Sequence, residues 1–133
     1  MVWFRRLVIE STGLADPFPI LSTVQADPAL RHHFCLGNVI TTVDAVNGMR
    51  QLDAQPESVK QVAVADRLVL TKTDLATAET IRLLVERLRC INPMAPLRRG
   101  AIGMSTQARC WRRTLSTATA RSAGCRLRPL GAG

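Results

Sequence analysis

Apolar and polar positions change period several times between residues 7 and 97, and the changes mark out alternating strands and helices. Leu7-Val8-Ile9 is a short apolar run that predicts a strand, ending at Glu10-Ser11-Thr12-Gly13. From Pro17 to Phe34 the apolar residues Ile20, Leu21, Val24, Leu30 and Phe34 form a broken helical pattern in which Pro28 marks a second helix start. The β-branched run NVITTV, residues 38–43, predicts a buried strand ending at Asp44. A polar stretch from Asn47 to Pro56 follows. A short helix opened by Glu57 or Ser58 then runs to Val64, and RLVL, residues 67–70, is a third apolar strand. Residues 76–90 give the clearest helix: Ile81, Leu84, Val85 and Leu88 recur at helical spacing, and Arg87 and Arg89 suit its C-terminal end. Asn92-Pro93 stops it.

Strands taking turns with helices imply an α/β fold with a mostly parallel sheet, right-handed crossovers and flanking helices on both faces. Ligands of such sheets bind beyond the carboxyl ends of the strands. Glu10, Asp44 and the segment Thr71–Asp74 each follow a predicted strand, so the three polar clusters are expected at one edge of the sheet.

Charge separates the chain into two parts. The net charge is +8, yet residues 1–97 hold ten Lys or Arg and ten Asp or Glu, while residues 98–133 hold eight Arg and no acid. Residues 1–97 therefore read as one globular unit and residues 98–133 as a basic, low-order tail, rich in Arg, Ala, Ser, Thr and Gly without hydrophobic periodicity. Two other readings of the tail stay open: a basic arm for phosphate-bearing partners, and an out-of-frame extension of a disrupted gene. Aromatic residues are scarce, so nucleic acid is not expected as a partner. No apolar run reaches the ~20 residues that span a bilayer, and no signal-peptide core opens the chain, which points to a cytoplasmic protein without membrane contact. Cys35, Cys90, Cys110 and Cys125 show no C-x-x-C spacing and read as free thiols.

Two motifs carry chemistry. TKTD, residues 71–74, has the spacing [N/T/S]-K-x-D directly after a predicted strand. A carboxylate at Asp74 can accept from the ring N–H and the exocyclic amine of guanine, while the Lys72 stem lies over the base with its ammonium in water. Adenine cannot donate that pair. The plainer alternative makes Lys72 a solvated loop residue and Asp74 the cap of the next helix. ESTG, residues 10–13, offers a carboxylate for a magnesium ion and a glycine N–H that a terminal phosphate can approach, or else an ordinary surface turn. In RHHFC, residues 31–35, His32, His33 and Cys35 are metal-ligand types, but adjacent residues on a helix point about 100° apart, so a shared metal is not expected.

In order and spacing, LVIESTGLADP, NVITTVDAV, QVAVADRLVLTKTDL and LLVERLRCINPMAPL resemble the CobW/HypB/UreG family of P-loop GTPases, in its CobW-like branch. The resemblance covers residues 7–97 and none of the tail. It implies a SIMIBI-class nucleotide-binding fold, GTP and magnesium as ligands, and work as a metallochaperone or in cobalamin biosynthesis, with a metal-dependent client protein as a partner. Glu10 would correspond to the family's magnesium-associated glutamate, Gly13 to its γ-phosphate-sensing glycine, and Thr71, Lys72 and Asp74 to its guanine-specificity loop. Thr71 stands where many GTPases carry Asn, and Asp44 in VDA is assigned a structural part.

The sequence contains no G-x-x-x-x-G-K-[S/T] loop and no Cys-rich metal motif, so a partial domain lacking the phosphate-binding loop is expected, with little or no GTP hydrolysis of its own. The competing expectation is a non-catalytic remnant or interaction fragment that binds no nucleotide.

Overall fold

The computed structural model of the chain describes residues 7–100. Its centre is a three-stranded parallel sheet, ordered β1 (Ile40–Asp44), β2 (Arg67–Thr71) and β3 (Leu97–Arg99). Two helices, α3 (Gly48–Ala54) and α4 (Pro56–Val64), connect β1 to β2, and α5 (Ala78–Ile91) connects β2 to β3. Ahead of the sheet lie α1 (Pro17–Ala26) and α2 (Pro28–His33). The α/β class with parallel strands is as the sequence pattern predicts. No described helix is long and apolar enough to cross a membrane.

Side-chain caps fix the starts of α1, α2 and α5. Asp16 accepts from the Phe18 amide at 2.9 Å and Asp27 from those of Ala29 and Leu30 at 2.8 and 3.0 Å, with a proline directly after each cap. Thr77 opens α5 by accepting from Thr80 N–H at 3.2 Å. That helix turns Ile81, Leu84 and Leu88 inward at helical spacing, onto Leu68 and Leu70 of β2. Leu70, Leu84 and Leu88 have no exposed surface, and Leu68 is 1 % exposed. At the far end Asn92 is buried, its amide within reach of the carbonyls of Val62, Ala63 and Ala65 at 2.9, 3.2 and 2.9 Å. Its carbonyl accepts from Ala95 N–H at 3.1 Å, so one side chain ties the end of α5 to the end of α4.

The structure departs from the pattern reading in four places. Leu7–Ile9 is not a strand: the three residues have no ladder partner and are each more than half exposed. A strand needs a neighbour for its backbone groups, and no described strand lies beside this one. The polar stretch after Asn47 contains α3, because Met49 and Leu52, three apart, reach the core from a helix that is otherwise polar. The third strand, Leu97–Arg99, was not expected. It joins the sheet by backbone pairing opposite Leu68–Leu70 and straddles the boundary drawn at residue 97, two exposed arginines hiding it from any apolar pattern. Finally, burial alternates along β1 and β2: Thr41, Val43, Leu68 and Leu70 are buried, while Thr42 is exposed and Asp44, Val69 and Thr71 are half-buried, so the described helices cover one face more fully than the other. Of the low-order tail expected at residues 98–133, residues 98 and 99 belong to β3, while residues 101–133, with Cys110 and Cys125, lie outside the described ones.

Candidate functional site

β1 and β2 end level with one another, Asp44 standing opposite Thr71 in register. The pairing continues past the strands: Ala45 N–H donates to the Thr71 carbonyl at 2.9 Å, and the Thr71 hydroxyl donates back to the Val43 carbonyl at 3.3 Å. The hydroxyl thus braces the first residue of the TKTD loop against β1, a contact that a threonine in this position left in question.

The loop then turns sharply. Leu75 N–H donates to the Lys72 carbonyl at 3.1 Å, and Lys72 adopts φ 54°, the one positive φ of a non-glycine residue among the described residues. A side chain in this left-handed region strains the backbone and is held there by its surroundings. The side chain is anchored as well: Lys72 Nζ donates to Asp44 Oδ2 at 2.7 Å.

Asp44 is in turn fixed by the chain after it. Its Oδ1 accepts from the amides of Val46 and Asn47 at 2.8 and 3.3 Å, and its Oδ2 from Asn47 Nδ2 at 3.2 Å. The Lys72 ammonium, helped by these N–H donors and opposed by partial desolvation, holds the Asp44 carboxyl down at about 2. Asp44 is therefore an anion throughout the physiological range.

Asp74, two residues beyond Lys72, is exposed and has no hydrogen-bond or ion-pair partner among the described residues. It does not cap α5, since Thr77 does. The carboxylate at the tip of this loop is left open to solvent.

Beside the strand ends lies a cleft of about 240 Å³, lined among others by Gly13, Thr41, Val43, Asp44, Thr71 and Lys72. Gly13 reaches it because the loop before α1 is clasped to α4: Gln61 Nε2 donates to the carbonyls of Thr12 and Ala15 at 3.1 and 2.7 Å, and Lys60 Nζ pairs with Asp16 at 2.7 Å. Its chain neighbours aside, no atom of the described residues lies within 4 Å of where a Cβ on Gly13 would stand, so they leave this backbone uncrowded. Glu10, expected at the same edge, is exposed and does not line the cleft. With Leu7–Ile9 unpaired, no strand carries it to the sheet end. The structure therefore brings Gly13, Thr71 and Lys72 together, sets Asp74 on the adjoining turn and leaves Glu10 apart.

Three contributors were missed by motif reading: Asp44 as the partner of Lys72, and Lys60 and Gln61 as the clasp on the 12–16 loop. The last two look like solvent-facing positions of α4, and an ion pair spanning 44 residues leaves no local signal.

Among the described residues no three His, Cys, Asp or Glu side chains are grouped for a metal. The rings of His32 and His33 meet edge to face, at 83°. Cys35 is disulfide-bonded rather than free, and Cys90 is an exposed free thiol; a chain without a C-x-x-C pair carries no spacing that marks such a bridge. A magnesium ion is commonly held by one or two carboxylates together with phosphate oxygens and water. Glu10 alone fits that donor set only as an auxiliary to a metal already carried by a nucleotide.

Residues 3–99 match the family described as CobW/HypB/UreG, nucleotide-binding domain. Among curated proteins the chain is 44% identical over 97 residues to "Zinc chaperone YjiA" of Escherichia coli, covering 72% of this chain and 30% of that protein. It is 34% identical over 95 residues to "Zinc-regulated GTPase metalloprotein activator 1" of Schizosaccharomyces pombe, covering 71% and 23%. Among solved structures, the crystal structure of Zn(II)-bound YjiA GTPase from E. coli superposes with a TM-score of 0.70 at 43% identity, over 77% of this chain and 31% of that one. The chain thus spans less than a third of the length of these relatives.

Proposed function

We infer that this chain, which belongs to the CobW/HypB/UreG family of nucleotide-binding domains, carries the guanine-recognition part of a metallochaperone-type GTPase. The observation that supports this best is the loop after β2, where Lys72 is held in the left-handed region and Asp74 is exposed without a partner while Thr77 does the capping. An unpaired carboxylate two residues from a fixed lysine suits a base that offers two adjacent N–H donors. Guanine does so; adenine does not. Gly13, uncrowded at the edge of the same cleft, leaves room for a phosphate to approach its N–H.

Magnesium, carried on the nucleotide, would neutralise phosphate charge, with Glu10 as its protein-side carboxylate. The 133 residues hold no G-x-x-x-x-G-K-[S/T] loop to cradle the phosphates, so this chain by itself binds guanine nucleotide weakly and does not turn it over. At the level of the whole protein, the relatives named for zinc support a part in metal delivery to a client protein in the cytoplasm, the metal being cargo.

Displacement of a ribose-labelled fluorescent GDP from the full chain by GDP, ADP and XDP tests the reading. GDP is expected to compete at least tenfold better than ADP. Asp74→Asn should shift the preference towards XDP, because xanthine presents a carbonyl where guanine has its amine and the new amide can donate to it. Equal competition by GDP and ADP would overturn the guanine reading, and no binding of the labelled nucleotide would leave the chain an interaction fragment that takes no nucleotide.

A further inference from the structure

We propose that Asp44 is a positioning residue for guanine recognition: its carboxylate anchors the Lys72 ammonium and so fixes the lysine stem as one wall for the base. This rests on the nucleotide reading above and adds to it a residue from a different strand, outside the TKTD loop.

The argument starts from Lys72. Its backbone sits at φ 54°, where a lysine is not stable by preference, and its side chain is about half exposed at the rim of the cleft. A long flexible stem at such a position samples many rotamers unless its end is tethered. The tether is the 2.7 Å bond to Asp44 Oδ2. It is itself rigid, because the other donors to the carboxylate, Val46 N–H, Asn47 N–H and Asn47 Nδ2, belong to the turn that leads into α3. Asp44 also stands on β1 in register with Thr71, whose hydroxyl and carbonyl bond to the same strand end. Both ends of Lys72 are thus referred to β1, the backbone through Thr71 and the ammonium through Asp44. A stem held at both ends presents its methylenes in one place, and a planar base loses less freedom when it packs on a wall that is already set. A solvent-facing ion pair with no such part would contribute little and would not affect which base is bound.

Asp44→Asn separates this part from a structural one. The amide oxygen can still accept from the Val46 and Asn47 amides, so the turn is kept, while the charge that holds the ammonium is gone. Lys72→Met keeps an apolar stem and removes the ammonium. With labelled GDP on the full chain, Asp44→Asn is expected to weaken GDP about tenfold, to leave ADP unchanged and hence to reduce the guanine preference by the same factor. In the Lys72→Met background, Asp44→Asn should have no further effect, because the pair is already broken. Asp44→Glu, which retains the charge, should recover part of the loss.

Unchanged or tighter GDP binding in Asp44→Asn, with wild-type guanine preference intact, overturns the proposal and leaves the nucleotide reading standing. Equal losses for GDP and ADP would also overturn it, by marking Asp44 as a fold determinant. Absence of guanine preference in the unmodified chain would overturn both together.

Discussion

The two arms of the cleft are built on different principles. The loop Thr71–Leu75 grows out of a paired strand over a buried core: Leu70 is fully buried, Thr71 is bonded twice across the sheet, and Lys72 is tied to Asp44. The arm carrying Gly13 has no ladder beneath it. It is preceded by the exposed residues Leu7–Ile9 and is held mainly by side chains of α4, through Gln61 and Lys60. The first arm is as rigid as the core it stands on, whereas the second can open at the cost of a few surface bonds. A base is recognised by fixed edges, which suits the first arm, and the second suits a group that arrives with the ligand.

Large core truncations should separate the arms most clearly. Leu70→Ala empties a fully buried site under the TKTD loop and is expected to cost about 2–5 kcal/mol in urea unfolding. Leu14→Ala, at a position 64% exposed on the other arm, should stay within about 0.5 kcal/mol. A comparable loss at both would mean that the two arms share one support.

The glycines repeat the contrast more gently. A Cβ on Gly48 would stand 2.9 Å from Val43 Cγ1 and 3.1 Å from Leu84 Cδ2, so Gly48→Ala should destabilise by about 1–3 kcal/mol. Gly13→Ala meets no atom of the described residues beyond its chain neighbours within 4 Å and should leave the melting temperature almost unchanged. If it nevertheless weakens binding of labelled GDP, the glycine serves the ligand and not the fold.

Acid should loosen both arms, because the Lys60 ammonium also holds the Asp16 carboxyl of the second arm below the usual carboxylate range, but the first arm carries the larger depression. The Asp44 carboxyl is depressed from 3.8 to about 2 in the folded chain, so its contribution is fully present above pH 4 and fades as the pH falls through about 2. After screening of the exposed ammonium the contribution is roughly 1 kcal/mol, and Asp44→Asn should remove that part of the pH dependence. An Asp44→Asn chain with the same acid slope as the unmodified one would show that other carboxylates carry it.

Gln61→Ala should have the smallest effect and the most local one. Loss of its two bonds to Thr12 and Ala15 is expected to raise amide hydrogen exchange around residues 12–16 while global stability falls by no more than about 1 kcal/mol. Raised exchange in β2 as well would contradict the independence of the arms.

The legible part of the molecule follows from these same differences. The β-branched run before Asp44, the apolar run before Thr71 and the inward stripe of α5 are local patterns created by burial, and the sequence displays each of them. The place of the TKTD segment was legible because it follows directly on an apolar run, and the structure does set it as a turn at the end of β2. Leu7–Ile9 looked like the other strands, yet strandedness depends on a neighbour that lies elsewhere in the chain or outside it. Helix α3 and strand β3 were hidden because two apolar anchors, or backbone pairing alone, suffice to dock a short element. The Asp44–Lys72 pair and the α4 clasp join residues 28 and 44 or more positions apart, and only the folded chain places them together.

The most direct test of the account is a titration of the 15N-labelled full chain with GDP and then with ADP, followed by amide chemical shifts. The account predicts that GDP moves the amides of Lys72, Thr73 and Asp74, together with Asn47 through the Asp44 turn, and that ADP at the same concentration does not. Identical shifts with both nucleotides, or shifts that leave residues 71–75 untouched, would contradict it.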